Sequence, residues 1–316
     1  MSALKTIAIS VGDLNGIGFE IILKAHNQIK KLCNPLYCIN YAMAQQAASL
    51  LNTQIPNDFH LVKVSGEFTI EKGIVSASSG RYSYDSFVTA VELAKSKSVD
   101  AIVTLPIHKE AWMMAGIPFV GHTDLLRHLF KQDAIMMLGC DQLYVALYTE
   151  HIPLRKVADA IHIEKITDFL LLLHKSVNRF PIGVLGLNPH AGDHGVLGNE
   201  ETIIAKAIQQ TNQQIGKNIF EGPLVPDVAF TPRNREYYKT IVAMYHDQGL
   251  APLKALYFDE GINVSLGLPI IRTSVDHGTA FNIAYQNKAS ILSYNNAIIA
   301  ALTFLDERHL CYTTKL

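Results

Sequence analysis

Thr6-Ile7-Ala8-Ile9-Ser10-Val11-Gly12-Asp13-Leu14-Asn15-Gly16-Ile17-Gly18 is a short apolar run that breaks into a glycine-rich turn. From Phe19 to about Gln28 the pattern becomes helical. A strand, a tight turn and a helix in that order begin a parallel βα unit. The alternation recurs along the chain. Tyr84–Lys97 places Phe87, Val88, Val91, Leu93 and Ala94 close to a helical period, and Asp100–Thr104 is a compact buried-strand candidate stopped by Pro106. Ile163–Val177 is a strongly apolar helix, and Glu200–Gln214 is another after the Gly198 turn. The pattern predicts an α/β protein with a mainly parallel sheet, without internal repeats or low-complexity tracts.

At 316 residues the chain exceeds the usual single-domain size, so two lobes are expected. Pro/Gly punctuation around Gly116–Gly121 and Gly261–Pro269 marks the crossings, giving one lobe from 1–120 with 270–316 and another from 121–269. Hydrophobic residues make up 49% and charged residues 17%, which suits a globular protein with a sizeable core. The 27 basic and 28 acidic side chains leave a net charge of −1, with no basic excess for nucleic acid. Cys33, Cys38, Cys140 and Cys311 form no Cys-x-x-Cys pair, so free thiols in a reducing compartment are expected. The start, Met1–Lys5 followed by a short apolar stretch, is not read as a signal peptide, and no run approaches the ~18 apolar residues of a membrane span. A cytoplasmic protein is the expectation.

Three further strand-like runs each lead to a histidine in turn-forming surroundings. Leu143–Tyr148 leads to His151, Ile182–Leu187 to His190, and Thr240–Met244 to His246. Strand ends of open α/β sheets converge on one crevice, and neutral imidazoles meeting there can cradle a divalent metal. His194 competes with His190, but Gly192 and Gly195 read as loop and favour His190. Asp247 is a fourth ligand or a carboxylate that orients a ligand.

Other segments suit an anion. The Gly12–Gly18 turn lets backbone approach a negative group, or is simply a tight strand-to-helix turn. It matches neither Gly-x-Gly-x-x-Gly nor a Walker loop. Thr104–Lys109 precedes Gly121-His122-Thr123-Asp124, whose imidazole and hydroxyl suit a phosphate or carboxylate. Thr123 is equally a cap for a helix beginning near Asp124. Lys254, Asn263 and Arg272 are polar residues in apolar surroundings. Arg272 follows the apolar Leu266–Ile271 and is expected at the end of a buried strand, where a guanidinium recognises anions. Together these features point to a small anionic substrate with a polarised oxygen.

From Gly12 to about Ala284 the chain resembles the 4-hydroxythreonine-4-phosphate dehydrogenase family of pyridoxal phosphate biosynthesis. The resemblance rests on Gly121-His122-Thr123, Asn188-Pro189-His190-Ala191-Gly192, Met244-Tyr245-His246-Asp247-Gln248-Gly249 and Arg272-Thr273-Ser274-Val275-Asp276-His277-Gly278-Thr279. It implies a two-lobed fold like that of the isocitrate and isopropylmalate dehydrogenases, working as a homodimer. The lobe formed by 1–120 and 270–316 would bind nucleotide; that of 121–269 would carry metal, substrate and dimer contacts. By the resemblance, His151, His190 and His246 hold the metal, with ligands drawn from both subunits. His122, Thr123, Lys254, Asn263 and Arg272 contact a phosphorylated substrate. Asp276, His277, Gly278, Thr279 and Asn282 lie in the loop for NAD or NADP.

The expected reaction is oxidation of 4-phosphooxy-L-threonine followed by decarboxylation. The metal would be zinc, magnesium, manganese or cobalt, and Asp247 and Lys109 are the acid/base candidates. A dehydrogenase of another phosphorylated hydroxy acid, or an acyl or phosphoryl transferase on a related scaffold, are the alternatives. The chain departs from the family pattern at Leu14, where a proline is usual. It also departs at His108, where asparagine is usual, at Asp124, and in Asn282-Ile283-Ala284-Tyr285-Gln286, where Asp-Ile-Ala-Gly-Lys is usual.

Overall fold

The structure, a computed structural model, describes residues 4–313. The chain divides into two units, Met1–Gln132 with Leu268–Asp306, and Asp133–Gly267 with Glu307–Leu316.

The first unit opens with β1 (Thr6–Ser10), α1 (Gly18–Ile29), β2 (Asn34–Cys38), α2 (Tyr41–Leu50) and β3 (Leu61–Val62). It continues through α3 (Ala77–Lys95), β4 (Ala101–Thr104), α4 (Lys109–Met114) and α5 (His122–Phe130). The chain returns to this unit for β11 (Arg272–Val275) and enters α11 (Leu292–Thr313). The strands lie in the order β3-β2-β1-β4-β11, every pair parallel. β4 is buried along its whole length and β1 nearly so, which is why both read as continuous apolar runs rather than alternating ones. In α1, Phe19, Ile22, Ala25 and Ile29 repeat at helical spacing and are buried.

The second unit contains β5 (Ile135–Cys140), β6 (Leu143–Leu147), α6 (Ile163–Ser176), β7 (Ile182–Leu185), α7 (Glu200–Ile215) and β8 (Phe220–Leu224). Two short helices, α8 (Pro226–Ala229) and α9 (Pro232–Tyr237), precede β9 (Thr240–Ala243), α10 (His246–Tyr257) and β10 (Ile262–Leu266). The order is β10-β5-β6-β9-β7-β8. β10, β5 and β6 pair antiparallel, whereas β6, β9, β7 and β8 are parallel. Val145, Leu147, Ile241 and Ala243 of the sheet form a buried cluster with Leu250 and Leu253 of α10. No described helix is long and apolar enough to cross a membrane. Cys33, Cys38 and Cys140 are buried free thiols; the side chain of Cys311 lies outside the described residues.

The crossings fall at 132/133 and 267/268 rather than at 120/121 and 269/270, and residues from Glu307 group with the second unit. Helix α5 accounts for the first shift. His122 at its start meets Phe87 of α3 edge-on at 4.4 Å and Trp112 of α4 at 5.7 Å between ring centroids, so α5 stays with the first unit. His122 and Thr123 therefore lie there too.

Three local expectations are corrected. Helix α3 begins at Ala77 rather than near Tyr84, because Ser76 caps it through Ser79 N (3.2 Å) and its first turns present small residues without an apolar period. Thr123 is buried inside the first turn of α5 and does not cap it; the Asp124 carboxylate instead accepts from Val120 N (3.2 Å). Arg272 opens a strand instead of ending one. β10 stops at Leu266, and Gly267 (φ 82°) with Pro269 breaks the ladder before Arg272 pairs beside Ile102.

Helices α3 and α4 touch backbone to backbone at Gly80. A Cβ there would lie 2.1 Å from the Ala111 carbonyl oxygen and 2.9 Å from Trp112 N. Gly80→Ala is expected to lower stability by about 2–3 kcal/mol, seen as a fall in the denaturant midpoint. An unchanged midpoint would show that the helices can separate at no cost.

Candidate active site

β6, β9 and β7 are adjacent and parallel, with Leu147 beside Ala243 and Val184 beside Val242. Their carboxyl ends share one edge of the second unit, so the histidine-bearing segments emerge together. Side chains tie these segments to one another. Thr149 Oγ1 donates to the Met244 carbonyl (2.6 Å). Gln248 accepts from Met244 N (2.7 Å) and donates through Nε2 to the Gly186 carbonyl (2.7 Å). Glu201 Oε1 accepts from Leu187 N (2.9 Å) and Asn188 N (2.7 Å).

The start of α10 lies close against the sheet because Gly249 has no side chain. A Cβ there would meet Val145 Cγ1 at 2.4 Å and Ala243 Cβ at 2.8 Å. This places His246 at the edge, its ring centroid 5.5 Å from that of His151 and tilted by 41°. Asp247 Oδ1 lies 2.6 Å from His246 Nδ1. A proton on Nδ1 directed at the carboxylate leaves Nε2 as the lone-pair nitrogen, the arrangement in which carboxylates orient metal-binding histidines.

His190 is presented differently. His190, Ala191, Gly192, Asp193 and His194 are all left-handed, with φ of 53°, 50°, 79°, 44° and 56°. Each non-glycine residue in that region costs about 1–2 kcal/mol, so the turn persists only because its surroundings hold it. His190 and His194 are both exposed on it. The imidazole donors suit a divalent ion, and the structure brings His151 and His246 together. Among the described residues, no group of three His, Cys, Asp or Glu side chains in the chain meets metal-binding geometry. Lys254 is half-buried on α10, seven residues (two helical turns) after Asp247. Asn263 lies on β10 opposite Leu138, its Oδ1 buried without a hydrogen-bond partner among the described residues.

The first unit holds the anion-binding candidates. Arg272 is 3% exposed. Its Nη2 donates to Thr104 Oγ1 (2.7 Å) and to His122 Nδ1 (3.1 Å), and its Nε donates to Thr104 Oγ1 (3.2 Å). Burial pulls the guanidinium down to about 9, which leaves it a cation at neutral pH. Burial, and then the Arg272 charge, hold His122 well below the ordinary histidine value, so the ring is neutral. Arginine only donates, so His122 Nδ1 is the acceptor and the ring proton sits on Nε2. That Nε2 is buried with no partner among the described residues. A buried donor beside a cation is satisfied by an anionic oxygen. Thr123, the next residue, is buried beside it in sequence.

The segment after β11 packs on the Gly12–Gly18 turn, since Ile17 N donates to the Thr279 carbonyl (3.1 Å). Asp276 N donates to Ser293 Oγ (3.2 Å), His277 Nδ1 lies 3.0 Å from the Gly278 carbonyl oxygen, and Asn282 is exposed. Phe281 stacks on His108, with centroids 5.0 Å apart and planes 13° apart, and Lys109 is exposed at the start of α4. Tyr285 has φ 60° where the family pattern has glycine, and its hydroxyl donates to the Leu14 carbonyl (2.6 Å). The contact joins the positions of two departures from the pattern, using at Leu14 the backbone carbonyl that any residue there supplies.

Asp13 is fully buried; its carboxylate accepts from Asn15 N (2.9 Å) and Ser79 Oγ (3.2 Å). Thr104 heads a segment that the sequence marks for an anion, whereas Thr149, Glu201 and Gln248 are not marked individually there. Gln248 at least stood within a quoted motif, and Glu201 carried the weaker signal of a carboxylate in a helix's first turn.

The family model for pyridoxal phosphate biosynthetic protein PdxA matches residues 30–301. The 4-hydroxythreonine-4-phosphate dehydrogenase of Sulfurimonas denitrificans is 63% identical over 302 residues, covering 96% of this chain and 98% of that protein. The enzyme of the same name from Campylobacter fetus is 50% identical over 305 residues, covering 96% and 99%. Among solved structures, the Klebsiella pneumoniae 4-hydroxythreonine-4-phosphate dehydrogenase superposes with a TM-score of 0.79 at 34% identity, covering 97% of this chain and all (100%) of that one.

Asp13 should leave a signature in stability. Burial raises its carboxyl from 3.8 to about 6, so between those values the native state binds more protons than the unfolded chain. The stabilising contribution of the protonated group is full below the lower value and is lost as pH rises through the upper one. Asp13→Asn retains a carbonyl for Asn15 N and can donate to Ser79 Oγ. It is expected to raise unfolding free energy at pH 7 by about 1–3 kcal/mol, with the gain gone below about pH 4. Chemical denaturation across that range checks it; no gain at pH 7 would refute the penalty.

Proposed function

The chain belongs to the pyridoxal phosphate biosynthetic protein PdxA family, an oxidoreductase family of 4-hydroxythreonine-4-phosphate dehydrogenases, and we propose that it oxidises 4-phosphooxy-L-threonine. The product is 2-amino-3-oxo-4-phosphooxybutanoate, which loses carbon dioxide to give 3-amino-2-oxopropyl phosphate. When bound, NAD or NADP supplies the hydride acceptor and a divalent zinc, magnesium, manganese or cobalt ion supplies a Lewis acid for the alcohol oxygen.

The observation that carries this reading is the edge on which His151 and His246 meet, their rings 5.5 Å apart and His246 held by Asp247. His151, His190 and His246 would hold the metal. His151 and His190 are exposed in the single chain, which suits a homodimer whose subunits complete the centre jointly. Residues Asp276, His277, Gly278, Thr279 and Asn282 would hold the dinucleotide.

Arg272 binds the phosphate as a cation preset by Thr104, and the His122 Nε2–H donates to an anionic oxygen. Thr123, Lys254 and Asn263 complete the substrate contacts, the buried Asn263 Oδ1 accepting from a substrate donor. The alcohol proton goes to Asp247 or Lys109. Asp247 is the better supported: its carboxylate already orients His246 and is 83% exposed, so it can reach a substrate proton directly or through one water. A reducing compartment such as the cytoplasm agrees with the buried free thiols.

NADH or NADPH formation with 4-phosphooxy-L-threonine tests the reading, before and after chelation and with each metal restored. Turnover should stop with chelator and return with metal. No turnover with either dinucleotide under any of these conditions would overturn it. His190→Ala should abolish metal-dependent turnover while leaving the thermal unfolding profile close to the parent's; full, chelator-insensitive activity in that variant would remove the metal. Arg272→Lys loses the fork that spans Thr104 and His122. Its preference for phosphorylated over unphosphorylated 4-hydroxythreonine, measured as a kcat/KM ratio, should fall by about 10- to 100-fold.

A further inference from the structure

Glu201 lies in the first turn of α7, and the His190 segment hangs on it. It is 8% exposed. Its Oε1 accepts from Leu187 N (2.9 Å) and Asn188 N (2.7 Å), and its Oε2 accepts from Asn188 Nδ2 (3.0 Å). Asn188 Nδ2 also donates to Glu200 Oε2 (2.7 Å). Asn188 is therefore held at both backbone and side chain. Its own carbonyl accepts from Ala191 N (3.1 Å), the bond that opens the left-handed turn. The carboxylate also fills the hollow of that turn, because a Cβ on Gly192 would lie 2.5 Å from Glu201 Oε2. The amino end of α7 favours its negative charge. From the other side, Gln248 holds the Gly186 carbonyl and links the same strand end to the His246 segment.

We propose that Glu201 is a positioning residue: its buried carboxylate locks Leu187 and Asn188 and thereby fixes the left-handed turn that presents His190. This rests on the reading of His190 as a metal ligand. The turn's dihedrals are unfavourable for four non-glycine residues, His190, Ala191, Asp193 and His194. Without the carboxylate, Leu187 N and Asn188 N lose their acceptor while the Asn188 Nδ2 bond to Glu200 stays, so the segment is held less tightly and the imidazole samples more directions. Preorganisation of a ligand shows in affinity and in rate rather than in whether the fold forms.

The full-length protein is compared with Glu201→Ala and Glu201→Gln. Glu201→Gln keeps one oxygen for the two backbone amides. Hydrogen exchange over residues 187–198 should speed up at least tenfold in Glu201→Ala, with β1 and β4 unchanged. Cobalt(II), titrated by its visible absorption, should bind at least tenfold more weakly. In turnover, kcat should fall while the KM for 4-phosphooxy-L-threonine holds. Glu201→Gln should recover most of each loss.

Parental exchange and parental cobalt affinity in Glu201→Ala would overturn the proposal. Loss of protection spread evenly over the second unit would overturn it too, since Glu201 would then be a stability residue only. If the parent protein itself binds no divalent ion, the ligand reading of His190 fails. The exchange measurement then still decides whether Glu201 fixes the turn.

Discussion

Parallel pairing constrains where a chain can put its chemistry. When β6, β9 and β7 run side by side in one direction, each must end on the same edge, and the chain leaves that edge three times. Every segment that departs there carries polar backbone that the sheet no longer satisfies. In this protein side chains take up several of those groups, through Thr149, Gln248 and Glu201, beside backbone bonds such as Gly186 N to the Leu224 carbonyl. The result is a rim of short, tied segments from which His151, His190 and His246 project. The direction of the strands thus fixes where the rim lies, and the rim fixes where the three histidines stand.

The same logic governs the buried charges of the first unit. Arg272 and Asp13 are both removed from water, and each is shifted toward its neutral form by that removal, to about 9 and about 6. Burying a charge costs several kcal/mol unless something answers it. Thr104 and His122 answer Arg272 with lone pairs, and a bound phosphate would answer it with charge. For Asp13, Asn15 and Ser79 offset part of the desolvation but not all of it. Strain of another kind appears at the His190 turn, where left-handed dihedrals take the place of buried charge. Both are conditions that a chain selected for stability alone would not keep.

The two departures at Leu14 and Tyr285 meet in the fold. Taken separately, one loses a proline and the other places a bulky residue where glycine is usual. In the fold, the Tyr285 hydroxyl reaches the Leu14 carbonyl at 2.6 Å and fastens the loop after β11 to the turn after β1. Tyr285 takes a left-handed φ of 60°, and the hydrogen bond offsets its cost.

What the sequence by itself determined is what depends on local period and local punctuation. Buried parallel strands announce themselves as apolar runs, so the α/β class and the strands leading to the three histidines were legible, as were helices α6 and α7 to within a residue or two of their ends. The start of α3 was not, because small residues facing α4 carry no hydrophobic period. Nor was the place of Arg272, since an apolar approach reads alike whether a strand ends there or begins. Only the tertiary structure decided that α5 packs with α3, that His122 Nε2 has no acceptor among the described residues, and that Glu201 holds Asn188, thirteen residues away. Those facts depend on which groups meet after long separation in the chain, and a hydrogen bond across such a distance leaves no mark on the spacing of the residues that make it.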